Sequence, residues 1–184
     1  MRREGDLVEG EVRTRALSHL IIGIDDTDGK TGGATFALAL ALLQYLGSTR
    51  GAIPIEHHVA MLNPAIAEKT AGNSCSYIEL ALPPDLLGKI TERAALFVGD
   101  EAMSAEWGLA IKQGFRITPG LRKYAGDARM GRVTPATASR TAHREGISLI
   151  GGRGVIGALA AVGLSGLRNE VLLNPQAGIP IDTV

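Results

Sequence analysis

An α/β fold of the α+β kind is predicted by three features of this sequence. Short apolar runs bounded by turn residues alternate with longer stretches of helix formers, as at Leu20–Ile24 followed by Ala34–Leu46. Twice, at Gly29–Gly33 and Gly151–Gly157, a strand pattern passes through a glycine-rich turn straight into a helix pattern. Between them a strand, polar loop, strand and helix pattern suggests a small lobe of segregated elements. The 184 residues suffice for one good core or for two lobes sharing one.

Composition narrows the functions open to the chain. Hydrophobic residues make up 45% and mean hydropathy is +0.13, which fits a packed soluble protein. One Trp, three Tyr and three Phe leave few stacking platforms for single-stranded nucleic acid. A formal net charge of zero argues against binding polyanions through overall charge, though not against a local patch. Cys75 is the single cysteine, so no internal disulfide and no cysteine zinc site is expected, which suits a cytoplasmic location. No stretch has the length of a membrane span. Met1 to Ser18 mixes acids, bases and glycines without an apolar core; the expectation is a mobile arm or an extra edge strand, and no signal peptide.

Taken in order, Leu20–Ile24 reads as a buried central strand. It stops in Asp25, Asp26 and Asp28, with Thr27 among them, and the turn continues through Gly32 and Gly33 to Thr35. Asp is common in turns and helix caps, and one of the three is expected to serve that use. Three carboxylates so close together repel unless a cation is shared. With a helix N-terminus just after them, they offer hard oxygen ligands beside amides that favour phosphate, the arrangement a magnesium nucleotide needs. Ala34–Leu46 is predicted as a helix apolar nearly all round, hence wedged between other elements.

Ile55–Leu62 reads as a strand, and Asn63–Asn73 as a polar connection. Cys75–Leu82 is a second strand, and Asp85 to about Phe97 a helix with Leu86, Leu87, Ile90 and Ala94 as its stripe. A short helix at Ala102–Glu106 and a strand at Leu109–Lys112 are expected next. Between Lys112 and Arg144, eight basic residues (Lys112, Arg116, Arg122, Lys123, Arg129, Arg132, Arg140 and Arg144) face one acid, Asp127, which predicts a surface for phosphate. Thr134-Pro135 opens a helix that Gly146 closes. Ile147–Ile150 is a strand, Val155–Gly163 a helix, Glu170–Leu173 a last strand and Asn174–Val184 an irregular tail. Gly152, Gly154 and Gly157 have the G-x-G-x-x-G spacing, but Glu170 comes too early for the acid of a dinucleotide fold. What survives is an anion site built from the amides at Gly152–Gly154 and Arg153, with Gly157 and Gly163 serving close packing.

Three ordered blocks carry a family resemblance. They are Ile22-Gly23-Ile24-Asp25-Asp26-Thr27-Asp28 with Gly32 and Thr35; Leu62-Asn63-Pro64 with Ile66, Lys69-Thr70 and Gly72-Asn73; and Gly152-Arg153-Gly154 through Ala161. Together, across roughly Ile21–Gly163, the chain resembles the archaeal isoleucine-tRNA agmatinylcytidine (agmatidine) synthetases, in their N-terminal catalytic part. The resemblance implies a kinase-like module with glycine-rich turns (about 19–56 and 115–173) and a small ferredoxin-like lobe (about 57–114), making one compact catalytic unit over 19–173. It implies ATP and Mg²⁺ as cofactors, with Asp25, Asp26 and Asp28 as metal ligands. Thr27, Gly32, Gly33, Asn63, Lys69, Thr70, Gly72, Asn73, Gly152, Arg153 and Gly154 would bind the nucleotide, and Thr35 would be a phosphorylation site. Gly33, Ala34 and Phe36 depart from the family's turn, where bulkier residues and a second threonine are common. The family's full enzymes add an OB-fold and a zinc ribbon that grip tRNA. Neither is read in these 184 residues, so the acceptor is left unidentified, and tRNA, a homodimer or an RNA-binding partner are left open. The reading is an ATP-dependent phosphoryl-transfer enzyme; a non-catalytic nucleotide-binding subunit and an NAD(P)-binding protein are its alternatives.

Overall fold

The computed structural model describes residues 2–4, 7–11, 14, 16–66, 73–131 and 133–181. Lys69, Thr70, Gly72 and Arg132 lie outside these. Two short strands, β1 (Arg2–Glu4) and β2 (Leu7–Glu9), pair antiparallel with each other and form a sheet of their own. The N-terminal strands therefore do not extend the edge of the main sheet.

The main sheet has five strands in the order β4-β5-β3-β6-β7, every neighbour pair antiparallel. They are β3 (Ser18–Asp25), β4 (Ile53–Met61), β5 (Ser74–Leu82), β6 (Gly108–Gln113) and β7 (Ser148–Gly151). The apolar run of β3 takes the middle place because both its faces are covered: Leu20, Ile21, Ile22 and Ile24 are each at most 1% exposed. Its alternation sorts two cores. Leu20, Ile22 and Ile24 pack with α1 (Thr35–Gly47) and α2 (Leu87–Glu101). Ile21 packs on the other face with α3 (Pro119–Arg129), α4 (Pro135–Glu145), α5 (Val155–Leu164) and α6 (Asn169–Leu173). Helices thus cover both sides of one antiparallel sheet. None of them, among the described residues, is long and apolar enough to cross a membrane.

One contact fixes the site's geometry. Gly23 lets α5 lie directly on β3; a Cβ there would meet the Ala158 carbonyl and come within 3.0 Å of Val162. Gly23 and Asp25 point to the same face, so α5 is brought down over Asp25 as well.

The caps predicted for α4 are present: Thr134 accepts from the Thr137 amide at 3.2 Å, and Gly146 is left-handed at φ 66°. Helix α3 was not legible in the basic stretch, although Thr118 caps it, accepting from the Leu121 amide at 3.1 Å. Four expectations need correction. Glu170–Leu173 is helical rather than a strand. Four apolar-rich residues cannot declare a period, and in the fold they pair with no strand of the sheet. Residues 102–107 form no helix, because α2 runs on to Glu101 and the chain then turns back to the sheet. Helix α1 is not enclosed, since Phe36 and Leu40 stay 53% and 44% exposed. Of the basic stretch, Lys112, Arg122 and Arg129 are buried and bind carbonyls. Lys112 Nζ donates to Gln113 and Gly114, Arg122 to Gly163 at the end of α5, and Arg129 to Leu172 and Asn174 at the end of α6. The two arginines thus complement helix C-termini instead of facing solvent phosphate.

Candidate functional site

Strand β3 ends in Asp25, whose carboxyl lies under the first turn of α5. A Cβ at Gly157 would stand 2.5 Å from Asp25 Cγ and nearer still to Oδ2. Asp25 keeps partial exposure towards the cleft, yet burial is the main cause that raises its pKa well above the usual carboxylate value, and the charges of Asp26 and Asp28 add to it. The Asp26 amide opposes this shift by hydrogen bonding. Asp26 follows in the left-handed region at φ 59°, the one non-glycine with positive φ among the described residues. Local strain of that kind persists only where surroundings impose it. Burial raises the Asp26 pKa too, Arg153 opposes the rise, and Asp28 and Glu106 reinforce it.

Behind these carboxylates lies a small hydroxyl network. Thr35 Oγ1 accepts from the Thr27 amide at 3.3 Å and from Thr27 Oγ1 at 3.2 Å, and donates to Asp28 Oδ1 at 3.2 Å. Both threonines are buried, at 2% and 5% exposure. Thr35 therefore orients Asp28, and its hydroxyl does not line the cleft. Gly32 and Gly33 shape the outer hairpin, where Gly29 and Gly32 bridge and Gly33 lies against Met103.

The second wall is the Gly152 turn, and here the structure corrects the anion-site expectation. Its amides are already engaged: Gly152 donates to the Trp107 carbonyl at 2.7 Å, Arg153 to Glu106 Oε2 at 2.9 Å and Gly154 to the Glu106 carbonyl at 2.7 Å. The glycines serve close backbone approach to residues 106–108; a Cβ at Gly152 would come within 2.9 Å of Glu106. A turn whose amides are so engaged does not cradle a pyrophosphate, which removes the basis of the dinucleotide reading. Its side chain at Arg153 does reach the cleft.

Asp25, Asp26, Asp28, Arg153, Gly154 and Asn73 line a single cleft of about 250 Å³. Its remaining lining is largely apolar, from Leu62, Ile66, Ala128, Val133 and Ile156. Asn63 ties residues 62–65 and Asn73 together beside it: Asn63 Oδ1 accepts from Ala65, its carbonyl accepts from Asn73 Nδ2 at 2.7 Å, and Leu62 donates to the Asn73 carbonyl. The apolar lining was not legible in the sequence, since its members come from separate elements that each read as ordinary core. Glu106 was missed for a plainer reason: a lone exposed acid in a connecting segment carries no signal.

No three His, Cys, Asp or Glu side chains among the described residues gather closely enough to hold a metal ion by themselves. The donor set nonetheless suits a magnesium nucleotide, because Mg²⁺ in such sites takes one or two carboxylates and completes its shell with phosphates and water. A desolvated carboxylate beside two others, seated where no Cβ fits, meets that need.

Fold and cleft define a class: an antiparallel sheet covered by helices on both faces, with an acidic, half-apolar cleft at the carboxyl end of its central strand. Comparison with known proteins narrows that class. Residues 21–107 match the TiaS TCKD domain. The isoleucine-tRNA 2-agmatinylcytidine synthetase TiaS of Pyrobaculum neutrophilum is 33% identical over 156 residues, covering 78% of this chain and 35% of that protein. TiaS of Methanosarcina acetivorans is 32% identical over 165 residues, covering 85% and 37%. An uncharacterized protein of Methanocaldococcus jannaschii is 29% identical over 162 residues, covering 86% and 54%. The crystal structure of TiaS in complex with its isoleucine tRNA and ATP matches with a TM-score of 0.69 at 25% identity, over 79% of this chain and 36% of that one. The chain is TiaS-like: it is similar to the N-terminal part of those proteins. It spans about half the length of the Methanocaldococcus relative and just over a third of the TiaS proteins.

Proposed function

We propose that the cleft binds ATP with Mg²⁺ and that the chain carries the phosphoryl-transfer half of a tRNA-modifying activity like that of TiaS. The observation that carries this is the convergence of Asp25, Asp26, Asp28 and Arg153 on one cleft whose other walls are apolar. A cleft that combines charged groups with apolar surface suits ATP, whose phosphates are charged and whose base is largely apolar. The likeness to a TiaS solved with its isoleucine tRNA and ATP supports the same reading.

Phosphoryl transfer asks a protein mainly for positioning and charge stabilisation. Asp25 and Asp26 would hold the metal, which when bound neutralises charge developing on the phosphates. Asp28 is kept in place by Thr35 and completes the acidic wall. Arg153, on the second wall of the cleft, would hold phosphate oxygens. The apolar lining excludes water from the transferring group and accepts the base. A phosphoryl group would pass from ATP to an acceptor oxygen, and an amine would then displace the activated oxygen as phosphate. On this reading the acceptor is an RNA carbonyl, delivered by surfaces the relatives carry in their remaining length. The Thr35 hydroxyl, engaged with Thr27 and Asp28, acts as a support for Asp28.

Calorimetry with Mg-ATP tests the site: wild type binds in the micromolar to millimolar range, and Asp26→Asn loses at least tenfold. Incubation with ATP, agmatine and the isoleucine tRNA that TiaS modifies tests the activity, read as ATP-dependent incorporation of labelled agmatine. Absence of Mg-ATP binding to the folded wild-type chain at millimolar nucleotide would overturn the reading.

A further inference from the structure

Residues 102–107 strap the two walls of the cleft together. On the aspartate side, the Met103 amide donates to the Thr27 carbonyl at 2.8 Å. On the other side, the Trp107 carbonyl takes the Gly152 amide at 2.7 Å and the Glu106 carbonyl takes the Gly154 amide at 2.7 Å. Between those two bonds the Glu106 carboxylate takes the Arg153 amide at 2.9 Å. The strap is itself braced, since the Glu106 amide donates to Ser104 Oγ at 3.1 Å. Fit is close at this point: a Cβ on Gly152 would stand 2.9 Å from both Glu106 Cα and Glu106 Oε2, so only glycine leaves the carboxylate in reach.

Three successive amides are thus held by two residues, and the middle bond is charge-assisted, the stronger kind. Glu106 does not line the cleft, whereas Arg153 does. We propose that Glu106 is a positioning residue: by fixing the backbone of Arg153 it aims the guanidinium at the phosphates of the nucleotide. This rests on the reading that the cleft takes ATP. The carboxylate acts through its acceptor oxygen, so a neutral acceptor of the same length preserves the effect. Because the effect passes through Arg153, a ligand without phosphates does not feel it.

The test uses the full chain and calorimetry with Mg-ATP and with adenosine. Glu106→Ala is expected to weaken Mg-ATP about tenfold and to leave adenosine binding unchanged, while Glu106→Gln stays within about twofold of wild type. Arg153→Ala shows a similar loss, and the double variant loses no more than Arg153→Ala alone. Glu101→Ala, which removes an exposed carboxylate at the end of α2, controls for net charge and stays at wild type. If Glu106→Ala does not fold, Glu106→Asp, one methylene shorter, replaces it with the same expectation. Unchanged Mg-ATP affinity in Glu106→Ala, an equal loss for adenosine, or additive losses in the double variant would each overturn the proposal while leaving the ATP reading intact. Failure of the wild-type chain to bind Mg-ATP would overturn both.

Discussion

Gly157→Ala isolates the position of one carboxylate from its charge. Gly157 lies in the first turn of α5, where alanine is intrinsically better by about 1 kcal/mol. The structure argues the other way. The new Cβ would stand 2.5 Å from Asp25 Cγ and 3.1 Å from Asp25 Cβ, against the 3.4 Å at which ordinary contact begins. Either the carboxyl retreats by about 1 Å or α5 lifts from β3. Lifting would also break the seating of Ala158 and Val162 on Gly23, so the carboxyl, free on its cleft side, gives way. Overpacking of this size costs about 1–3 kcal/mol. After the gain in propensity the net loss is at most about 2 kcal/mol, or about 4–8 °C in Tm for a chain of this size. Misplacing a ligand by about 1 Å removes most of what it contributes to holding the metal. The expected result is a folded protein, a few degrees less stable by circular dichroism, whose Mg-ATP affinity by calorimetry has fallen about tenfold or more, as for Asp26→Asn. Wild-type affinity in folded Gly157→Ala would refute the claim that the site depends on where α5 places Asp25.

Other consequences follow from the same contacts. Asp25→Asn should raise the Tm of the nucleotide-free protein at neutral pH, because it removes a carboxylate that burial disfavours as an anion, and should abolish Mg-ATP binding. Since the folded-state pKa of Asp25 lies above its unfolded value, the penalty is full above the folded pKa and is relieved as pH falls through it. Melting curves from pH 7 downward should accordingly show a stabilising contribution in wild type that is missing in Asp25→Asn, until other carboxylates protonate. Arg129→Met should cost about 2–3 kcal/mol, read as a Tm drop, by orphaning the Leu172 carbonyl, and should leave the salt dependence of any RNA binding unchanged. Gly23→Ala should lower the Tm by several degrees, through the same one-methyl collision, without touching a cleft residue.

Part of this architecture was legible in the residues. The apolar run of β3 and the three aspartates that end it announce a central strand with an acidic terminus, because burial on both faces demands unbroken hydrophobicity. Thr134, Pro135 and Gly146 mark α4, since capping is local chemistry. Readable in the residues, then, is whatever depends on neighbours a few positions apart: strand and helix periods, caps, and the clustering of Asp25, Asp26 and Asp28. Tertiary structure decided the rest. Only the folded sheet shows that Glu106 and Trp107 occupy the amides of the Gly152 turn, since partners 47 residues apart leave no spacing to read. Only packing shows that Arg122 and Arg129 bind helix ends, because a buried and an exposed arginine look alike in a sequence. And only α5 lying on Gly23 turns Asp25 from a residue at a strand end into a desolvated carboxylate facing a cleft.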